Sequence, residues 1–140
     1  MIVKPGINFP GVGAGLVIRR DGKVLLYKRV NPPEAGHWNI VGGKVDHMEH
    51  SRIAAIREAE EETGLSIGDA SFLCTSEQII AADGQHWLSL IYMTDDFKGE
   101  PSPTEPDKLS EFGWFDVDNP PQPLSFFARD AFLQLRNARA

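Results

Sequence analysis

At 140 residues, 41% hydrophobic and 24% charged, the chain is expected to form one domain over 1–140 that buries about two thirds of its unfolded surface. A formal net charge of −6 speaks against a nucleic-acid binder, which would show a basic patch, and no apolar run approaches the roughly 20 residues of a membrane span. The opening stretch holds Pro5 and Pro10 but no apolar h-region, and the lone Cys74 excludes an internal disulfide, so a cytoplasmic location is expected.

Val12 to Ile18 alternates glycine or alanine with larger apolar residues, as a strand does. Asp21-Gly22 marks a tight hairpin into a second strand, Lys23 to Arg29, with the apolar centre Val24-Leu25-Leu26. Pro32, Pro33 and Gly36 make a loop, and Trp38 to Val45 reads as short extended pieces broken by Gly42-Gly43. Ser51 is read as an N-cap, followed by a helix from Arg52 to Thr63 that Gly64 stops. Ala70 to Ile80 and Trp87 to Thr94 read as paired strands around Ala82-Asp83-Gly84. Pro101, Pro103 and Pro106 punctuate a long loop before a last strand, Phe112 to Val117. Beyond Pro120, Pro121 and Pro123, Leu124 to Leu135 is a terminal helix with Phe127, Ala131, Phe132 and Leu135 on one face. Strands with two separated helices predict an α+β layered domain. Cys74 is read as a buried thiol, and Trp38 and Trp87 as structural.

Familiar nucleotide and catalytic motifs are absent. Gly11, Gly13 and Gly15 lack the spacing of a dinucleotide fingerprint and enter a strand rather than a helix. Gly43-Lys44 has neither the first glycine nor the hydroxyl residue of a phosphate loop, and no Gly-x-Ser-x-Gly elbow occurs. His47 and His50 flank Glu49 without zinc-site spacing.

What remains is electrostatically odd. Glu58, Glu61 and Glu62 occupy the last turns of the first helix, where the helix dipole disfavours carboxylates by several tenths of a kcal/mol each. Glu58 and Glu62 are also a like-charged i,i+4 pair, costing roughly another 0.2–0.5 kcal/mol. At about 100° per residue the three fall within a wedge of about 100°, leaving Ile53, Ile56 and Ala59 to pack on a sheet. Arg57 offers the nearest relief, through an ion pair with Glu61. A carboxylate face on a rigid base points to a bound cation. Oxygen donors without cysteine favour Mg²⁺, with Mn²⁺ as the alternative, and such an ion would let an acidic protein take an anionic substrate.

From Gly43 the residues run through Glu49, Arg57-Glu58, Glu61-Glu62 and Gly64-Leu65. This spacing resembles the Nudix box, G-x5-E-x7-R-E-U-x-E-E-x-G-U, with U a bulky aliphatic residue. Every fixed polar and glycine position matches, and Ala59 at a U position is the single departure within the box, suggesting tighter helix packing. Trp38-Asn39-Ile40-Val41-Gly42-Gly43 is similar to the W-x-x-P-G-G approach to the box, with Val41 in place of proline and Met48 where glycine commonly precedes the first glutamate. Both changes alter the loop's backbone freedom.

The resemblance implies an α/β/α sandwich, with a mixed sheet between the box helix and the C-terminal helix. It implies hydrolysis of a nucleoside diphosphate linked to another group, with Gly43, Glu49, Glu58, Glu61 and Glu62 toward metal. Glu61 or Glu62 would be the base and Arg57 would orient a glutamate. Arg29 is a candidate phosphate contact. Glu105-Pro106-Asp107-Lys108 with Glu111 looks like a segment of the MutT-like members that act on nucleoside triphosphates, where a glutamate adds a metal or catalytic contact. Phe126-Phe127 resembles their base-stacking pair. The leading expectation is therefore release of a nucleoside monophosphate and pyrophosphate from an NTP or dNTP. Hydrolysis of a nucleotide sugar such as ADP-ribose or a GDP-sugar comes second, and a non-catalytic nucleotide sensor third, disfavoured by the intact glutamate set. The resemblance also allows a homodimer, for which the sequence shows no surface.

Overall fold

The computed structural model describes residues 2–139. Its main sheet is built from β1 (Gly11–Arg20), β2 (Lys23–Arg29), β3 (Trp38–Asn39), β4 (Val41–Lys44), β6 (Ser71–Ile80), β7 (Gln85–Thr94) and β9 (Leu109–Asp116). A minor sheet joins β5 (Ser66–Ile67) to β8 (Phe97–Lys98), and the helices are α1 (Ser51–Thr63) and α2 (Phe126–Arg139). The order in the main sheet is β3-β2-β1-β7-β6, with β4 also on β1 and β9 on β2. The sheet is mixed because β1 runs parallel to β7 while its other pairings are antiparallel. Asp21 and Gly22 both take positive φ in the β1–β2 hairpin, as the turn requires.

Side-chain alternation divides the core into two layers. Leu16 and Ile18 of β1 and Leu25 and Tyr27 of β2 meet Ala54, Ala55 and Ala59 of α1. Their neighbours Val17, Val24 and Leu26 face the other way, onto Ala128, Ala131, Phe132 and Leu135 of α2. The result is an α/β/α sandwich, as expected.

Helix α1 departs from expectation in three ways. Its N-cap is His50, without a side-chain cap, because the Ser51 hydroxyl instead lies 2.6 Å from the Tyr92 hydroxyl on β7. Its buried face is Ala54, Ala55, Ala59, Glu62 and Thr63, whereas Ile53 is 50% exposed. Small side chains let the helix axis approach the sheet, and they set the buried stripe roughly opposite Ile53 on the helical wheel. Gly64 does stop the helix, in the left-handed conformation with its N–H donating to the Glu60 carbonyl.

Helix α2 begins at Phe126 rather than Leu124, and Ser125 caps it: the Ser125 hydroxyl accepts the Ala128 N–H at 3.2 Å. Strand β9 begins at Leu109, because its backbone follows β2 down to Arg29.

Candidate active site

The first consequence of the alanine face is the placement of Glu62. On the wheel it lies at the middle of the buried stripe, so its carboxylate points beneath the helix, 5% exposed, and accepts the Gly42 N–H at 2.8 Å. Glu58 lies one turn earlier at the edge of that stripe and meets the adjacent residue. A Cβ on Gly43 would fall 2.4 Å from the Glu58 carboxyl carbon, so only glycine leaves room for this contact. The Gly42-Gly43 stretch of β4 is thus a backbone cradle for two carboxylates.

Burial drives both of them toward the protonated form. Desolvation raises the Glu58 carboxyl against the opposing pull of Arg57. It pushes Glu62 up to about 8, helped by the negative fields of Glu58 and Glu105 and opposed by the Gly42 hydrogen bond.

The third carboxylate of the expected face is the exposed one. Glu61 is 52% exposed and is held by Arg57 at 3.3 Å. Among the described residues no group of three or more His, Cys, Asp or Glu side chains is gathered as a ready cation site. Arg57 ties these side chains together. Its Nε and Nη2 grip the two oxygens of Glu49 at 2.8 and 3.0 Å, while Nη1 reaches Glu58 at 3.0 Å as well as Glu61. Arg57 therefore orients three glutamates, not one.

Glu49, expected toward the metal, is paired with Arg57 here. Both its oxygens are occupied by a bidentate pair, and the Arg57 hydrogen bonds, with the Asp46 N–H, hold its carboxyl down to about 2. Glu49 serves as the anchor of Arg57. Met48, just before it, takes φ 68 with its side chain 91% exposed, so the loop keeps the conformation a glycine would favour. Val41 sits in β4 opposite Leu16 and is buried.

A divalent cation fits what the residues offer: hard oxygen donors, two of them desolvated carboxylates whose charges repel, on a backbone that approaches closely. Glu58, Glu62 and the Gly43 backbone meet that description directly.

Alongside this cradle opens a cleft of about 220 Å³ between β1, β4 and β7, lined by Gly13, Gly15, Gly43, Trp87, Ser89 and Phe127 among others. Arg29 reaches its wall, steadied by Nε to the Pro33 carbonyl at 2.6 Å and Nη1 to the Tyr27 hydroxyl at 2.8 Å. Burial pushes that buried phenol up to about 12, so it stays a neutral partner. Of the expected aromatic pair, Phe127 lines the cleft. Phe126 does not: it is 44% exposed, beneath the Arg129 guanidinium.

Glu105 is near enough for its field to act on Glu62, and it accepts from the Lys108 ammonium at 2.9 Å. Glu111 is exposed on β9 and does not line the cleft.

Sequence reasoning missed Trp87 and Ser89 in the lining and Lys108 facing Glu58 and Glu62. One signal pointed to the cleft: Gly11, Gly13 and Gly15 repeat at strand period, so that Trp87, Ser89 and Ile40 lie close against one face of β1.

A family model for the NUDIX domain matches residues 9–135. The chain belongs to the NUDIX domain family. It is similar to a MutT NUDIX hydrolase from Burkholderia pseudomallei, whose crystal structure superposes with a TM-score of 0.86 at 46% identity, covering 90% of this chain and 98% of that one. An ADP-ribose pyrophosphatase of Methanocaldococcus jannaschii is 34% identical over 81% of this chain. This chain spans 66% of that relative's length. A CTP pyrophosphohydrolase of Escherichia coli is 30% identical, across 88% of this chain and 91% of its own. NUDIX relatives with these names act on differently built nucleotides. Among the described residues of this member, no helix is long and apolar enough to cross a membrane.

Proposed function

We propose that the protein is a metal-dependent nucleotide pyrophosphohydrolase, converting an NTP or dNTP and water to the nucleoside monophosphate and pyrophosphate. The observation that carries this reading is the pair of desolvated carboxylates, Glu58 and Glu62, cradled by Gly42-Gly43 beside a cleft that also holds Arg29 and Phe127.

Glu58, Glu62 and the Gly43 backbone, joined by Glu61, would hold Mg²⁺ or Mn²⁺; when bound, the ion neutralises the diphosphate and lowers the pKa of the attacking water. The chain's own groups do the rest. Arg57, locked by Glu49, keeps Glu58 and Glu61 at fixed positions. Arg29 spends two donor positions on Pro33 and Tyr27, which aims its guanidinium at the cleft for a phosphate oxygen. Phe127 and Trp87 offer flat apolar surface to a base. Glu61 or Glu62 accepts the proton of the water that attacks phosphorus. Glu61 is the solvent-reachable one, whereas Glu62 has its oxygen fixed by Gly42.

A second reading, cleavage of a nucleotide sugar with the same carboxylates, is favoured by the 34% identity to the ADP-ribose pyrophosphatase.

NTPs, dNTPs and nucleotide sugars incubated with Mg²⁺ and assayed for pyrophosphate and monophosphate separate the two. Pyrophosphate from a triphosphate is the expected product. Turnover of sugars alone overturns the lead, and tight binding with no turnover of any compound would indicate a sensor. Glu61→Gln is expected to lower kcat by at least ~10²-fold.

A further inference from the structure

The loop between β2 and β3 contains a residue that the scheme above leaves unused. Glu34 is buried, although it sits on a connecting segment between Pro33 and Ala35. Its backbone holds φ 57, in the left-handed region that a residue with a side chain adopts uncommonly. Its carboxylate accepts the Phe126 N–H, with oxygens at 3.2 and 3.4 Å, and so closes the N-terminus of α2. Its own N–H donates to the Asp83 carboxylate at 3.1 Å, in the turn between β6 and β7, and its carbonyl accepts the His37 N–H at 3.1 Å. The preceding residue, Pro33, gives the carbonyl that holds Arg29.

Three separate segments therefore meet at one buried glutamate. Two of them carry cleft residues: Phe127 follows Phe126, and Arg29 and Pro33 precede Glu34. The geometry points to Glu34 as a positioning residue that sets the nucleoside end of the cleft, fixing Phe127 and the Arg29–Pro33 wall relative to each other. This rests on the nucleotide-binding part of the function proposed above. A helix N-terminus closed by a carboxylate from elsewhere in the chain is a fixed joint. Without it, α2 keeps its packing through Phe132 and Leu135 and the Ser125 bonds to Trp38 and Asn39, but the Phe126 N–H loses its only tie to Glu34.

Two variants test this. Glu34→Gly suits the backbone conformation better than the native residue yet removes the carboxylate. Glu34→Gln keeps the length and one acceptor for the Phe126 N–H. Hydrogen exchange at Phe126 in the ligand-free protein reads the joint, and the Kd of an α,β-methylene nucleoside triphosphate reads its effect on binding. In Glu34→Gly, exchange at Phe126 should quicken by at least ~10-fold and the Kd should weaken by a similar factor, with KM rising while kcat changes by less than about threefold. Glu34→Gln should recover most of both losses. Unchanged exchange and Kd in Glu34→Gly overturns the inference, as does faster exchange with an unaltered Kd. If the wild type binds the analogue but hydrolyses no nucleotide, the pyrophosphohydrolase reading fails while exchange and Kd still judge Glu34. If the wild type does not bind the analogue, both fall.

Discussion

Helices α1 and α2 cover opposite faces of one sheet and bury opposite kinds of surface. Helix α2 presents Ala128, Ala131, Phe132 and Leu135, an apolar stripe that meets Val17, Val24 and Leu26. Helix α1 presents three alanines and then a carboxylate, Glu62. Full burial of a large apolar side chain stabilises by roughly 1.5–3 kcal/mol, whereas a buried carboxylate without a counter-charge opposes folding. One layer therefore holds the domain together and the other uses that stability to keep carboxyl groups in an unfavourable place. A site built this way is rigid because its support comes from elsewhere.

The contrast can be broken deliberately. Phe132→Ala should have the largest effect, a loss of about 3–5 kcal/mol in urea unfolding, with turnover per folded molecule nearly intact. Glu62→Gln should behave in reverse: kcat falls by at least ~10²-fold, about 2.7 kcal/mol in the barrier, while the metal-free protein becomes no less stable. Unfolding curves in chelator that showed the Gln variant markedly weaker would contradict the division of labour. Leucine at Ala59 and at Ala131, both fully buried, gives a matched pair. Each should cost about 1–3 kcal/mol through overpacking, but only Ala59→Leu should also lower kcat, by lifting α1 from Gly42-Gly43.

The last comparison is a pH slope. An unfolded glutamate titrates near about 4.3, whereas burial pushes Glu62 up to about 8. Between those values the folded chain keeps a proton that the unfolded chain has released. The stability of the metal-free protein should therefore decline as pH rises through that window and level off above it. Urea midpoints in chelator from about pH 5 to about pH 9 would show the slope in the wild type and its reduction in Glu62→Gln. An equal slope in both would assign it to other groups.

These differences also mark where the sequence could be read. Local rules located the Asp21-Gly22 hairpin, the Gly64 stop and the β6–β7 pair, since turn chemistry and alternation act over a few residues. The spacing of the box likewise singled out Arg57 and the glutamates. What it could not give was direction. Whether Glu62 points to solvent or beneath the helix depends on which face α1 turns to the sheet, and Ile53 suggested the wrong face. The alanines that decide the matter carry little hydrophobic signal of their own. Ser51 was misread for a related reason: its hydroxyl found Tyr92, a partner far along the chain. Nor does the spacing of the box reveal that Arg57 engages both oxygens of Glu49.

The glycine face of β1 has a consequence of its own. A methyl group at Gly13 would lie 2.7 Å from the Ser89 hydroxyl, and one at Gly15 would lie 2.8 Å from the end of Ile40. The glycines thus let Ser89 and Ile40 lie against the strand, and those two side chains help shape the cleft wall. A lineage could reshape that wall by changing the Ile40 and Ser89 side chains that the glycines accommodate, with the acidic cradle on the neighbouring strand left as it stands.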